Sequence, residues 1–198
     1  MPAADPGIRS ERLSLRPLGP GDPAEAHRWS GDEELVRLFG GPPGDLVHQN
    51  GGYVLAMDSI GTGRDSDRLI GFIGLTGDTW AMRSAELRIL IGSRSHWGKG
   101  YGREAITQFL VHVFAATDLD FIYLRVFRRN MRAVRCYESC GFRRAGRLEV
   151  RADPRYADPP PADDLLLMTL ARPVDRVKTG APTGPRHAPS LTLHAATV

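Results

Sequence analysis

The sequence predicts one domain of the α/β (α+β) class, a mixed sheet of about six or seven strands flanked by about four helices, and two stretches carry that prediction. Residues 85–91, Ala-Glu-Leu-Arg-Ile-Leu-Ile, make a short apolar run stopped by Gly92, as a buried strand would be. Past a glycine-rich loop, Ile106, Phe109, Leu110, Val113 and Phe114 recur at helical spacing, and residues 121–126 are apolar again, which reads as strand, loop, helix, parallel strand. The second stretch holds two apolar runs, 53–57 and 69–75, joined by the polar, glycine-rich segment 61–68 in the manner of a hairpin.

The remaining elements follow in chain order. Residues 1–7 are rich in Pro, Ala and Asp and are expected to be loose. Leu13, Leu15 and Leu18 start the order, with Arg12, Ser14 and Arg16 between them as in a half-buried strand. Asp22-Pro23-Ala24-Glu25 resembles a capping box with Pro at the first helical position, so a helix carrying Ala26 and Trp29 should follow. A second helical stretch with Leu35, Val36, Leu38 and Phe39 stops at Gly40-Gly41-Pro42-Pro43-Gly44. Residues 76–84 turn the chain into the central strand, with Trp80 in the turn. Residues 130–140 form the next helix, ended by Gly141, and strands at 142–150 and 165–170 bracket a loop holding Pro154, Pro159, Pro160 and Pro161. Residues 173–198, rich in Pro, Gly, Thr and Ala without apolar period, read as a disordered tail, so the domain is expected to span 1–172.

Composition narrows the function. The 198 residues suffice for one domain with a sizeable core, and 41% hydrophobic with 25% charged residues is ordinary globular usage. The net charge of +3 comes largely from the tail, where three basic residues and one acidic residue lie beyond position 172. A nearly neutral domain gives nucleic-acid binding no footprint. Cys136 and Cys140, four apart on one predicted helix, would bridge only awkwardly and have no partner set for zinc, so they read as reduced packing residues and no metal is expected. No apolar run reaches membrane-span length and the N-terminus lacks a signal pattern, which predicts a cytoplasmic protein with no membrane partner.

The loop Trp97-Gly98-Lys99-Gly100-Tyr101-Gly102-Arg103 carries the chemistry. Three alternating glycines let a ligand approach the backbone, and a helix starting there points N–H groups and its positive end at the gap, which suits a phosphate. Five residues separate Gly92 from Gly98 and no Ser or Thr follows Lys99, so it is not a Walker A loop. Gly98, Gly100 and Gly102 also lack the Gly-x-Gly-x-x-Gly spacing of a dinucleotide fold.

Residues 89–92 with 97–102 and Glu104-Ala105 resemble motif A of the Gcn5-related N-acetyltransferases (GNAT), in the flavour of the branch that acetylates ribosomal proteins. Asn130, Ala133, Cys136-Tyr137-Glu138 and Gly141-Phe142 are similar to that family's motif B, and residues 11–18 to the branch's first strand. The resemblance spans roughly residues 8–171. It implies a mostly antiparallel sheet with a splayed central parallel pair, acetyl-CoA as cosubstrate without a metal, and an amine acceptor: a protein N-terminus, an amino acid or peptide, or a small molecule. A monomer or a homodimer is expected, with the choice between them open, and the charge balance predicts no nucleic-acid partner.

Carried over, Ile89, Leu90 and Ile91 would bond the pantetheine arm, and the loop from Trp97 to Arg103 would seat the diphosphate on N–H groups, with Lys99 and Arg103 adding charge or standing as solvated surface. The family usually opens this loop with Gln or Arg; Trp97 is a departure shared by the ribosomal-protein branch. Asn130 would reach the pantetheine and also serve as an N-cap. Tyr137, two turns further, falls where the family places the acid that protonates the departing thiolate. The base is less defined. Some relatives carry a Glu five residues before the Asn, where this chain has Arg125, which cannot accept a proton. Glu86 is the replacement, acting directly or through water; it also alternates onto the side of Arg88, so a structural ion pair is a second reading and a water chain a third. His96 is expected to be exposed. A different class of function, a catalytically inactive acyl-CoA sensor or partner module, is favoured by Arg125 alone. The acceptor would be set by the walls around residues 29–50, 76–84 and 152–163.

Overall fold

The computed structural model describes residues 7–48, 52–61, 68–76, 83–149 and 164–173. The turn holding Trp80, the proline loop and the tail beyond residue 173 lie outside the described residues.

Eight strands, β1 (Ile8–Arg9), β2 (Leu13–Pro17), β3 (Tyr53–Ser59), β4 (Arg68–Thr76), β5 (Ser84–Ile91), β6 (Phe121–Phe127), β7 (Arg143–Glu149) and β8 (Asp164–Ala171), form one sheet in the order β1-β2-β3-β4-β5-β6-β8-β7. Five α-helices accompany them among the described residues: α1 (Asp22–Trp29), α2 (Glu33–Phe39), α3 (Gly44–Val47), α4 (Tyr101–Ala116) and α5 (Met131–Ser139). The strand beyond the expected six or seven is the two-residue β1, which pairs Ile8 with Leu15. The extra helix is the single turn α3, directly after the Gly-Pro cluster that ends α2.

All neighbours are antiparallel except β5 and β6. That parallel ladder is short: Ser84 pairs with Phe121, Ala85 with Ile122 and Glu86 with Tyr123, after which the two strands part. Their outer edges stay paired to the end, β5 with β4 as far as Ile91 and β6 with β8 as far as Phe127. The sheet therefore opens as a wedge whose apex is at Glu86 and Tyr123.

Strand alternation assigns the two faces. Leu87, Ile89 and Ile91 face α4 and α5, packing with the fully buried Ile106 and Phe109 and with Ile122 and Leu124 of β6. Truncating Phe109 to Ala would cost about 3–5 kcal/mol, the usual range for a large buried aromatic. Leu90 points the other way, into a cluster of Ala26, Leu35, Leu46 and Phe72 beneath α1 to α3. Trp29 lies so close to the end of β5 that a Cβ at Gly92 would sit 2.0 Å from its ring.

The helix ends differ in how closely they follow local signals. Asp22 is not the cap of α1: Gly21 holds that position, and the Asp22 carboxylate accepts from Arg16 Nη1 (2.7 Å) and from the Gly19 N–H (2.6 Å). A cation on β2 outcompetes the helix's own N–H groups for it. Asn130 does cap α5, accepting from the Ala133 N–H at 3.2 Å. Gly141, at φ 91°, closes α5 with the Phe142 N–H bonded to Tyr137 O and its own N–H to Glu138 O, a Schellman turn. Arg172 ties the last strand to the end of α4 by donating to Phe114 O (2.6 Å) and Leu119 O (2.7 Å). Among the described residues, no helix is long and apolar enough to cross a membrane.

Candidate active site

The wedge between β5 and β6 opens into a cavity of about 370 Å³. The N-terminal end of α4, the inner face of α5, the exposed edge of β5 and the helix α2 wall it. Ten of the eleven cofactor-binding candidates line it, from Ile89, Leu90 and Ile91 through the glycine loop to Asn130; Lys99 is the exception, exposed on the outer turn of the loop.

The loop is held open from outside. Gly98 and Gly100 adopt φ 73° and 87°, left-handed conformations that an L-residue enters only with strain, and Gly100 caps α4 with no side chain over the helix end. The 16-residue α4 therefore directs its first N–H groups and positive end toward the cavity. Trp97 pins the loop by donating from Nε1 to Ile91 O (2.7 Å), while Arg132 stacks 3.8 Å above its ring. Arg12 secures the other side, bonding Lys99 O (3.1 Å) and lying 5.0 Å over Tyr101. Arg12 also claims Glu104 in the first turn of α4 (Nε to Oε2, 3.0 Å), with Ser10 Oγ on the second oxygen at 2.6 Å. An acidic residue that would repel a phosphate there is neutralised by the first strands of the sheet.

Tyr137 also lines the cavity, its ring edge-on to Phe142 at 6.1 Å. Burial pushes its phenol above the ordinary value; Cys136 adds to the rise and Arg88 opposes it. The group thus holds its proton throughout the neutral range. Both cysteines are free thiols. Cys136, on the cavity wall, is raised by its hydrogen bond to Cys140 and by burial. Cys140 is pulled down to about 7 by that same bond, against the opposing effect of burial.

Glu86 occupies the apex of the wedge, only 4% exposed. Its carboxylate is held by Arg125 on β6, Nε to Oε1 at 2.9 Å with Nη2 on Oε2. The ion-pair reading of Glu86 thus describes its surroundings, with Arg125 as the cation instead of the expected Arg88. Arg88 instead lies 4.4 Å over the ring of Phe39 on α2. His96, expected to be exposed, is 5% exposed and faces the cavity, its Nδ1 2.9 Å from Ser93 Oγ and its ring against Tyr101. The short 3-10 turn at Arg94–His96 folds it inward, which a composition reading of the loop does not convey.

Sequence reasoning also missed Arg132 and Arg135, which face the cavity from α5. Their signal was available: they stand three apart on the helix that Asn130 caps, so they share a face. Among the described residues no cluster of three or more His, Cys, Asp or Glu side chains could hold a metal.

Known proteins agree with this geometry. Residues 12–143 match the model of the acetyltransferase (GNAT) domain. Spermidine N(1)-acetyltransferase of Vibrio cholerae is 40% identical over 92 residues, 46% of this chain, and the aligned stretch spans about half of that relative, 53%. Aminoglycoside N(6')-acetyltransferase type 1 of Klebsiella pneumoniae is 25% identical over 154 residues, 69% of this chain and 77% of that protein. The structure of Vibrio cholerae spermidine N-acetyltransferase with CoA and spermine superposes with a TM-score of 0.66 at 27% identity, covering 82% of this chain and 96% of that one. With residues 12–143, about two thirds of the chain, matched by that domain model and a sheet that opens between β5 and β6 at the start of α4, the chain belongs to the GNAT acetyltransferase family.

Proposed function

We propose that this chain transfers an acetyl group from acetyl-CoA to a primary amine, by direct attack of the amine on the thioester in a ternary complex. The observation that carries the reading is the wedge itself: a parallel pair that parts after three residue pairs and opens onto the uncapped N-terminus of a long helix. A cofactor with a diphosphate and an extended amide-bearing arm fits those features. The diphosphate would rest on the N–H groups between Gly98 and Arg103, with Arg103, Arg132 and Arg135 supplying charge. The arm would bond the free edge of β5 from Ile89 to Ile91 and reach the side chain of Asn130. Bound there, acetyl-CoA supplies an activated acyl carbon and a thiolate leaving group.

The protein's own groups then divide the work. As the C–N bond forms and the C–S bond breaks, Tyr137 donates its proton to the departing sulfur, a role suited to a phenol that burial keeps protonated. With both carboxylate oxygens of Glu86 engaged by Arg125, we assign the amine's proton to water and give the pair the task of fixing the point where the strands part. Exchanging Tyr137 for Phe should slow thiol release tenfold or more while leaving the CoA dissociation constant within twofold; unchanged turnover would remove Tyr137 as the acid. The engagement of Glu86 also favours the second reading, a CoA-binding module without catalysis. Calorimetry showing bound CoA, together with no thiol release across a broad amine panel, would select it.

A further inference from the structure

The first strands of the sheet reach the glycine loop through Arg12. This residue lies in the turn between β1 and β2, which the Ser10 N–H closes on Leu13 O (2.8 Å), and its own carbonyl accepts from the Ile60 N–H just past β3 (2.8 Å). From that anchored backbone the guanidinium extends over the start of α4. Nη1 donates to Lys99 O (3.1 Å), Nε and Nη2 donate to one oxygen of Glu104 (3.0 and 2.5 Å), and the guanidinium carbon lies 5.0 Å over the Tyr101 ring.

The bond to Lys99 O governs the direction of a donor. The peptide joining Lys99 to Gly100 is trans and planar, so its N–H points opposite to its carbonyl. Arg12 grips that carbonyl on the outer side of the loop, whereas Gly100 lines the cavity. This orientation has to be held, because Gly98 and Gly100 flank the peptide at φ 73° and 87° and glycine passes between positive and negative φ at little cost. A peptide turned over there would present a carbonyl oxygen where an N–H donor had been.

Glu104 supplies a second, independent observation. Its side chain is only 17% exposed in the first turn of α4, and every donor on it comes from the β1–β2 turn: Arg12 on one oxygen, Ser10 Oγ (2.6 Å) and the Arg12 N–H (3.3 Å) on the other. Without the guanidinium, a poorly hydrated negative charge would stand beside the phosphate seat.

Resting on the reading of this loop as the diphosphate seat, we infer that Arg12 is a positioning residue for the cofactor. It holds the Lys99–Gly100 peptide with its N–H toward the diphosphate and cancels the Glu104 charge beside it, acting through the loop without touching the cofactor.

The test is calorimetry on the full chain with CoA and with pantetheine, which carries the thiol arm without the diphosphate. Arg12→Gln should raise the Kd for CoA tenfold or more and that for pantetheine less than twofold. Arg12→Lys keeps the charge but cannot span the carbonyl and the carboxylate together, so it should recover part of the loss while staying at least threefold weaker than the unmodified protein. Glu104→Gln added to Arg12→Gln should restore part of the CoA affinity, and raising salt should narrow the gap between Arg12→Gln and the unmodified protein, because both weaken the same repulsion. A side chain that only braces the fold would lose further when its partner is removed, so a deeper loss in the double variant would overturn the inference. Equal losses for CoA and pantetheine, or unchanged CoA affinity in Arg12→Gln, would overturn it too and leave the transferase reading standing. Where Arg12→Gln does not fold, Arg12→Lys decides, and CoA affinity equal to that of the unmodified protein refutes the role. Failure of the unmodified protein to bind CoA would overturn both readings.

Discussion

Removing the ion pair at the apex of the wedge separates a structural role for Glu86 from a catalytic one. The two side chains are 6% and 11% exposed, so Glu86→Gln strands the Arg125 guanidinium in a site that excludes most water. Breaking a buried pair by removing one partner costs about 3–5 kcal/mol. Both residues have further contacts that soften the loss, which places the expectation at the lower end, about 3 kcal/mol. In a protein of this size that is a fall in Tm of about 6–12 °C. Arg125→Met should cost a similar amount by leaving the carboxylate alone. Because each single change already forfeits the pair, Glu86→Gln with Arg125→Met should lose little more than either alone, a coupling of about 2–3 kcal/mol measured in urea as a double-mutant cycle. The pH dependence of kcat supplies the second readout: its acidic limb should survive Glu86→Gln, since the limb reports the amine and not this carboxylate. Additive losses within about 0.5 kcal/mol would refute the pairing argument. A Glu86→Gln protein of undiminished Tm that has lost both turnover and the acidic limb would identify Glu86 as the base.

Other expectations concern the loop, the thiols and the domain's last strand. Gly100→Ala forces an L-residue to φ 87° and places its methyl 3.4 Å from the Arg12 guanidinium, so CoA affinity should drop about tenfold; an unchanged dissociation constant by calorimetry would show that the loop's shape does not set the seat. Cys140, whose thiol is lowered to about 7, should be alkylated by iodoacetamide with a midpoint near that pH. Cys136→Ala removes the hydrogen bond that lowers it, so the midpoint should move upward and the rate at pH 7 should fall; no shift would show that Cys136 is not the cause. Arg172→Ala removes charged donors from the Phe114 carbonyl in the last turn of α4 and the Leu119 carbonyl just beyond it and should cost about 2 kcal/mol, or about 4–8 °C in Tm; a Tm within 1 °C of the unmodified protein would make that tether irrelevant to stability.

The backbone plan of this domain was largely legible because it rests on short-range signals. The apolar run before Gly92, the helical spacing from Ile106 to Val113 and the Asn130 to Gly141 helix with its cap and left-handed stop are each decided by residues a few positions apart. The parallel pairing of β5 with β6 followed from the helix between them. Signals that can be satisfied from a distance were less secure. Asp22 has every local reason to cap α1, yet Arg16 reaches it from the neighbouring strand. Residues 8–9 form a strand only because β2 offers them an edge.

The candidate site divides along the same line. The place of the glycine loop and the edge of β5 at the cavity was legible because it depends on conformation at their own positions. Charged side chains could be assigned to a face but not to a partner. Alternation places Glu86 and Arg88 on one side of β5, and proximity in sequence suggests that they pair. Neighbours two apart on a strand point in parallel from points about 7 Å apart, however, whereas Glu86 and the residues of β6 meet across the last rung of the parallel ladder, Glu86 opposite Tyr123 with Arg125 just beyond. Arg125 sits on the same face as Tyr123 and at the point where the strands separate, so its long side chain can fold back over the gap to the carboxylate. Arg88 is thereby left to Phe39 and the cavity. Which guanidinium is paired with Glu86 and which lines the cavity is thus set by the register of two strands joined through α4, a long-range relation that alternation along β5 alone does not contain.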